Sequence, residues 1–517
     1  MHAFGNQGVK QRGAAGRRRR SSFPGLAAAG AGVFFFAVMF AAYAPVIHDP
    51  LIRDDYWLLG QVRGVGVPHL WRLAYVQIIY FRPLGELGYW LQWRLFGASA
   101  AAAHTLSLIS GAAAAGLLFW FMRLLRLERL TALFAGLLFA LAPVAVEAVT
   151  WPAVRFDLNA LALMILSLGL YFIFLRDGGR RAYAGALAAA LAAALVKEPA
   201  MVTVALIPLL EVVYRRSPDV DAAAYRRLGF WPAALRRWLP LAALFLIYLI
   251  ARIVVLKGFG GAAPVLGLPS ARASFFSAMA FVFPYSWLGI GTVRSGWTLA
   301  LAAAAGIAGA GLLAVLLRPR RDRSRRAAVF FGLFFLISLI PVYPFVFMIG
   351  ITQNLAGSRY LYIPACAFLA MAMVVVFDIA RRSRLLLVAT VVLLGGLSLV
   401  DAWAIQKNNE PWHAAEAVSG AILAQTRSLV PDPAPGAVFY YRDMPVMSGY
   451  RVFEHLTLQP ALAIAYGRDD IRVYVTGDDF DQSLRRGDYE FGYDRAGETL
   501  TLVKAPGNDV STHPGVQ

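Results

Sequence analysis

Asp54 and Asp55 stand side by side in Leu51-Ile52-Arg53-Asp54-Asp55-Tyr56-Trp57, just after the first long apolar segment of the chain. Carboxylates this close to a membrane span are uncommon, because lipid penalises charge. Adjacent carboxylates repel, so partial desolvation raises the pKa of one of them. That prepares a general base for taking a proton from a hydroxyl. More ionisable residues fall where apolar segments end: Glu147, Arg155 and Asp157 in one place, Lys197 and Glu198 in another, and Gln353, Asn354, Arg359 and Tyr360 in a third. Taken singly, each reads as a side chain that snorkels or caps a helix. Taken together, they set cations at one level around the face of the Asp pair. Cations opposite a carboxylate suit a lipid phosphate leaving group beside a base.

That arrangement needs a membrane scaffold, and composition points to one. Of 517 residues, 59% are hydrophobic and only 15% charged, with a mean hydropathy of +0.59. A soluble protein of this length needs more polar surface. The formal net charge of +19 would suit nucleic acid if it covered one face. Instead, Arg gathers between apolar segments, at Arg17 to Arg20, Arg123 to Arg129, Arg176 to Arg181, Arg215 to Arg237, Arg318 to Arg326 and Arg381 to Arg384. Clusters that alternate with connections poor in Lys and Arg follow the positive-inside rule, so no nucleic-acid partner is expected.

With the clusters cytoplasmic, about eleven crossings of about 20 residues or slightly fewer are expected. They fall at 25–46, 103–122, 130–147, 158–175, 183–197, 199–214, 238–256, 297–317, 327–345, 361–379 and 385–403. The short pair 183–197 and 199–214, joined by Lys197-Glu198-Pro199, predicts a tight hairpin. The apolar stretch 273–293 reads as re-entrant or interfacial, because a crossing there would invert the clusters that follow.

The expected organisation is a basic cytoplasmic tail over 1–22, a helical membrane domain over 23–403 and a small extracytoplasmic α/β domain over 404–517. The basic-then-apolar N terminus reads as an uncleaved anchor. Strand-like runs occur at Val438 to Tyr441, Ile471 to Val475, Tyr489 to Phe491 and Thr499 to Val503, with a turn at Asp494-Arg495-Ala496-Gly497. The first outer connection, 47–100, carries His48, Asp49, Arg82, Glu86 and many aromatics, as expected of helices lying on the membrane surface.

Asp54-Asp55-Tyr56-Trp57, followed by Phe81-Arg82-Pro83-Leu84, resembles the first-loop Asp motif and the Tyr-Arg-Pro-Leu motif of transmembrane O-mannosyltransferases that carry tetratricopeptide repeats. Further pieces match in order: Pro143 with Glu147-Ala148-Val149, Arg155-Phe156-Asp157-Leu158, Lys197-Glu198, and Ser358-Arg359-Tyr360-Leu361-Tyr362-Ile363-Pro364. The resemblance covers the membrane part only. A Ser stands at 358 where the family usually has Glu, and no 34-residue repeat follows the last helix.

The resemblance implies a GT-C fold that transfers a sugar from a polyprenyl-phosphate carrier at the outer face of the bacterial inner membrane. It implies that Asp54 or Asp55 is the base and that the reaction inverts the anomeric carbon. Arg155, Lys197 and Arg359 would then hold the donor phosphate, supported by Arg82, Glu147, Asp157, Glu198 and Tyr360. The acceptor is left open between protein, lipid and glycan. No cofactor is assigned. A divalent cation on His48, Asp49, Asp54 and Asp55 stays open beside a metal-free site. Two other readings compete: a transporter or flippase, which favours midplane charges and internal repeats, and an O-antigen ligase or polymerase, which favours a large late outer loop rich in Arg and His.

Overall fold

The computed structural model describes residues 24–73, 80–220, 229–258, 322–342, 357–447, 450–476 and 488–506. Helix α1 (Pro24–Tyr43) contains no charged residue and leads through a 3-10 turn, Ala44–His48, into the first outer connection. That connection folds into three short helices, α2 (Asp54–Val62), α3 (Val67–Leu73) and α4 (Pro83–Phe96). Then follow α5 (Ala100–Leu124), α6 (Arg129–Ala140), α7 (Val146–Thr150), α8 (Arg155–Asp177), α9 (Arg180–Val196), α10 (Thr203–Tyr214), α11 (Phe230–Leu256), α12 (Asp322–Leu339), α13 (Tyr362–Ala380) and α14 (Arg384–Leu429).

Among the described residues six helices are long and apolar enough to cross a membrane, in α1, α5, α8, α11, α13 and α14. A bent pair, α6 with the segment Pro143–Thr150, makes a seventh if its 48° break lies within one span. These segments make the chain an integral membrane protein. Among the described residues the expected count of eleven is not confirmed. α9 has 17 residues and α10 has 12, about 26 and 18 Å at 1.5 Å per residue, against a hydrocarbon layer of about 30 Å. α12 opens with Asp322, Arg323, Arg325 and Arg326. The expected segments 297–317 and 273–293 lie outside the described residues. Nor do α9 and α10 close into a tight hairpin: α9 lies along α8, while α10 packs against α8 and α12. The buried face of α9 is alanine (Ala186, Ala190, Ala193, Ala194), and small residues let helix backbones approach closely.

Chain direction sorts the helix ends. α8, α10 and α13 begin at one end of the bundle, where α9 and α11 finish. The Arg clusters lie at the opposite ends of the same helices.

α14 is continuous for 46 residues, so the expected boundary at 403/404 falls inside a single helix. At about 69 Å it is more than twice the hydrocarbon thickness of about 30 Å. Its first half exposes Leu385, Leu393 and Leu399; its second half enters the C-terminal domain. There β1 (Val438–Arg442), β2 (Val446–Met447), β3 (Tyr450–Arg451), α15 (His455–Tyr466), β4 (Arg472–Val475), β5 (Tyr489–Asp494) and β6 (Thr499–Lys504) follow. The main sheet has the order β4-β1-β5-β6, with β1 parallel to both neighbours and β5 antiparallel to β6. Its inner residues Phe439, Tyr441, Val473 and Phe491 pack with Ile422 of α14 and Leu458 of α15.

This domain grips the first outer connection. An added Cβ at Gly60 of α2 would sit 2.5 Å from Cβ of Pro460 in α15, so only glycine permits that approach. Arg53 pairs with Glu454 at 3.1 Å, and Arg63 donates to the Ala463 carbonyl at 2.8 Å. Ser419 of α14 donates to the Leu51 carbonyl at 2.8 Å. Arg53, immediately before α2, has a φ of 48°, a backbone region that bulky residues rarely adopt. The start of α2, where Asp54 and Asp55 lie, is therefore held from both sides.

Candidate active site

A cavity of about 380 Å³ lies where the starts of α8, α10 and α13 meet the ends of α9 and α11. Its charged lining is Asp54, Arg82, Asp157, Lys197, Glu198, Arg252 and Arg359, with Tyr80 and Tyr360 beside them. Four cations and three carboxylates from six separate elements thus face one space.

Each cation is paired with an acid. Arg82 precedes α4, whose first residue is Pro83, a helix-start signal because proline lacks the amide hydrogen that would be orphaned there. Its guanidinium donates to Glu198 at 2.9 Å and lies over the Tyr80 ring at 4.1 Å. Three residues on, Gly85 lets α4 seat against Phe156, whose ring would lie 2.2 Å from an added Cβ. Glu198 opens the 3-10 turn that follows α9 and also holds Arg252 of α11 at 3.0 Å. Lys197 pairs with Asp157 in the first turn of α8. Arg359 reaches Glu147 twice, through its backbone N–H at 2.9 Å and its guanidinium at 3.2 Å, and lies over Trp151 and Tyr360. Glu147 is fully buried behind it. One carboxylate shared by two arginines leaves the anchored set with one surplus positive charge, a match for a phosphodiester monoanion.

Asp54 differs from these acids. It is half-buried and has no ion-pair or hydrogen-bond partner among the described residues, and it opens into the cavity. Asp55, one residue on, turns the other way. It is buried, and its two oxygens accept from the amides of Ile52 at 2.9 Å and Ala153 at 2.6 Å. Burial pushes its carboxyl up to about 8, against the pull of those two amides. It ties α2 to the turn before α8.

The expected phosphate set is thus only partly assembled. Lys197 and Arg359 line the cavity, as do Arg82, Asp157, Glu198 and Tyr360; Glu147 stands behind it. Arg155 does not line it. Its guanidinium is buried against Gln92 at 2.7 Å and over the Tyr89 ring at 4.5 Å. Arg252, outside the expected set, also lines the cavity; an arginine within the expected span 238–256 carries its own signal, since charge in a span marks function. The four residues weighed as cation ligands do not converge: His48 is exposed, Asp49 pairs with His413 at 2.6 Å, and Asp55 is bound to backbone. Among the described residues no group of three His, Cys, Asp or Glu side chains is arranged to hold a metal ion.

No family model matches the chain, and no curated protein matches it. Among solved structures it is similar to ArnT from Cupriavidus metallidurans bound to undecaprenyl phosphate, with 17% identity and a TM-score of 0.45 over 87% of each chain. The apo state of ArnT matches at 17% identity and a TM-score of 0.39, over 88% of this chain and 87% of that one. The Archaeoglobus fulgidus oligosaccharyltransferase tethered with an acceptor peptide containing the NVT sequon matches at 12% identity and a TM-score of 0.44, over 87% of this chain and 64% of that one.

Proposed function

We propose that the chain is a GT-C-type glycosyltransferase of the bacterial inner membrane. It moves a sugar from a polyprenyl-phosphate donor to an acceptor hydroxyl at the extracytoplasmic face, with the N terminus cytoplasmic and residues 404–517 outside. The observation that carries this reading is one cavity in which an unpartnered carboxylate, Asp54, faces Arg82, Lys197, Arg252 and Arg359. The position of the Arg clusters at the far helix ends supports the orientation.

In this reaction Asp54 takes the proton of the acceptor hydroxyl. The hydroxyl oxygen attacks the anomeric carbon from the side opposite the phosphate. The bond from that carbon to the phosphate oxygen breaks, and its electron pair stays on the phosphate, so the configuration inverts. The phosphate leaves without protonation, so a single carboxylate base suffices. Lys197, Arg359, Arg82 and Arg252 offset the charge that grows on the leaving oxygens. Asp157, Glu147 and Glu198 fix those cations. Asp55 and Arg155 act from behind: Asp55 sets α2 against the turn before α8, and Arg155 braces α4 through Gln92.

A transfer assay tests the reading, using membranes that contain the full chain and a radiolabelled polyprenyl-phosphate sugar. Asp54→Asn lowers transfer by about 10²- to 10⁴-fold on this account, while Asp55→Asn loses far less. Full activity in Asp54→Asn removes the proposed base and the mechanism with it.

A further inference from the structure

The face of α2 that presents Asp54 continues into a second cavity. That cavity, of about 310 Å³, lies between α2 and α15, where the first outer connection meets the C-terminal domain. Asp54, Trp57 and Gln61 are spaced three and four residues apart, so they share one face of α2. Asp55, Leu58, Leu59 and Val62 form its buried side. Asp54 lines the first cavity, and Trp57 and Gln61 line the second. The two are linked by about 10 Å of helix at 1.5 Å per residue.

The second cavity is polar but nearly neutral. Arg63 and Asp469 pair across its edge at 3.0 Å. His455 is engaged with the Val473 carbonyl at 2.5 Å. The lining also includes the half-buried Trp57, together with Gln61 and Gln459, neither of which has a side-chain hydrogen bond among the described residues. A flat apolar ring beside free amides matches a pyranose, which offers an apolar C–H face to an aromatic and hydroxyls to groups that both donate and accept. A neutral lining gives an anionic ligand no advantage. A peptide acceptor that binds by adding a strand needs a free sheet edge, and this cavity lies between two helices.

We infer that this cavity is the acceptor subsite and that it takes a saccharide chain, whose terminal hydroxyl reaches Asp54. The inference rests on the glycosyl-transfer reading above and names its acceptor class. Trp57 stacks on a sugar ring, and Gln61 and Gln459 bind its hydroxyls.

The test applies the full chain in detergent to a glycan array and, in parallel, to an array of Ser- and Thr-containing peptides. Wild type and Trp57→Phe retain a common set of glycans. Trp57→Ala and the double variant Gln61→Ala/Gln459→Ala lose that binding by tenfold or more, with wild-type thermal midpoints. Should Trp57→Ala melt early, the glutamine pair decides by the same criterion. Three results overturn the inference: no glycan retained, glycans retained equally by the glutamine variant, or peptides retained in a Trp57-dependent way. Failure of the glycosyl-transfer reading is read separately, as sugar transfer that persists in Asp54→Asn, and it leaves the array result unchanged.

Discussion

Two buried ion networks occupy opposite ends of the same helices. At the Arg-rich end, Glu211 of α10 is fully buried and accepts from Tyr171, from Arg237 at 3.1 Å and from the Trp238 indole at 2.8 Å. At the other end, Arg82, Lys197, Arg252 and Arg359 are anchored as firmly, yet they line an open cavity with an unpartnered carboxylate across from them. Both networks have charge taken out of water and recruited by several helices. What separates them is completion. Glu211 is surrounded by donors, whereas Asp54 lines a cavity with no partner among the described residues, as the proposed base requires. Burial of charge alone does not mark a site; an unmet requirement inside a cavity does.

Substitutions at the two ends sharpen this contrast. The largest effect is expected from Asp54→Asn: transfer falls by about 10²- to 10⁴-fold, the range for loss of a general base, while the thermal midpoint stays at the wild-type value because Asp54 holds nothing in place. Next comes Arg252→Ala, which removes one donor to the leaving phosphate and lowers the rate constant at saturating donor by about 10²- to 10³-fold. Arg155→Ala, by contrast, lowers thermal stability more than rate; a loss of transfer as large as that of Arg252→Ala, with an unchanged melting curve, would return Arg155 to the phosphate site. At the closed end, Glu211→Gln removes a fully buried negative charge that pairs with the half-buried Arg237. The expected cost is about 3–5 kcal/mol of stability, read by thermal or denaturant unfolding in detergent, with the transfer rate per folded molecule unchanged. Equal activity losses at both ends would erase the distinction between them.

Sequence pattern made much of this legible, for identifiable reasons. The strand runs Val438 to Tyr441, Ile471 to Val475 and Thr499 to Val503 alternate well enough that β1, β4 and β6 fall on them within a residue. Asp54, Lys197 and Arg359 meet as expected because all three lie at helix ends facing one level. Direction around a helix was not legible. Residues two apart point to nearly opposite sides, so Asp157 reaches the cavity while Arg155 turns toward Gln92 of α4. Adjacent helical residues differ by about 100°, which separates Asp54 from Asp55, and the second amide on Asp55 comes from Ala153, 98 positions away in the chain. Arg252 was hidden by its surroundings, an otherwise apolar run whose contact with Glu198 exists only after folding. The 403/404 boundary marked a change of composition inside α14, where the backbone does not change at all.

Asp55 is set apart by its buried carboxyl, and this gives the smallest expected effect. Burial holds the Asp55 carboxyl up to about 8 in the folded chain, above its ordinary value of 3.8. The folded state therefore binds a proton that the unfolded chain has already released at neutral pH. Stability from this group is complete below pH 3.8, declines as pH rises and is gone once pH passes about 8. Between pH 7 and pH 9 the expected loss is about 1.4 kcal/mol, read as a falling thermal midpoint in detergent. Asp55→Asn carries no titratable proton, so it removes that slope, although it gives up one of the two amide contacts and starts from a lower midpoint. If the slope survives in Asp55→Asn, the proton resides elsewhere, and Asp55 is then an ionised carboxylate held by two amides.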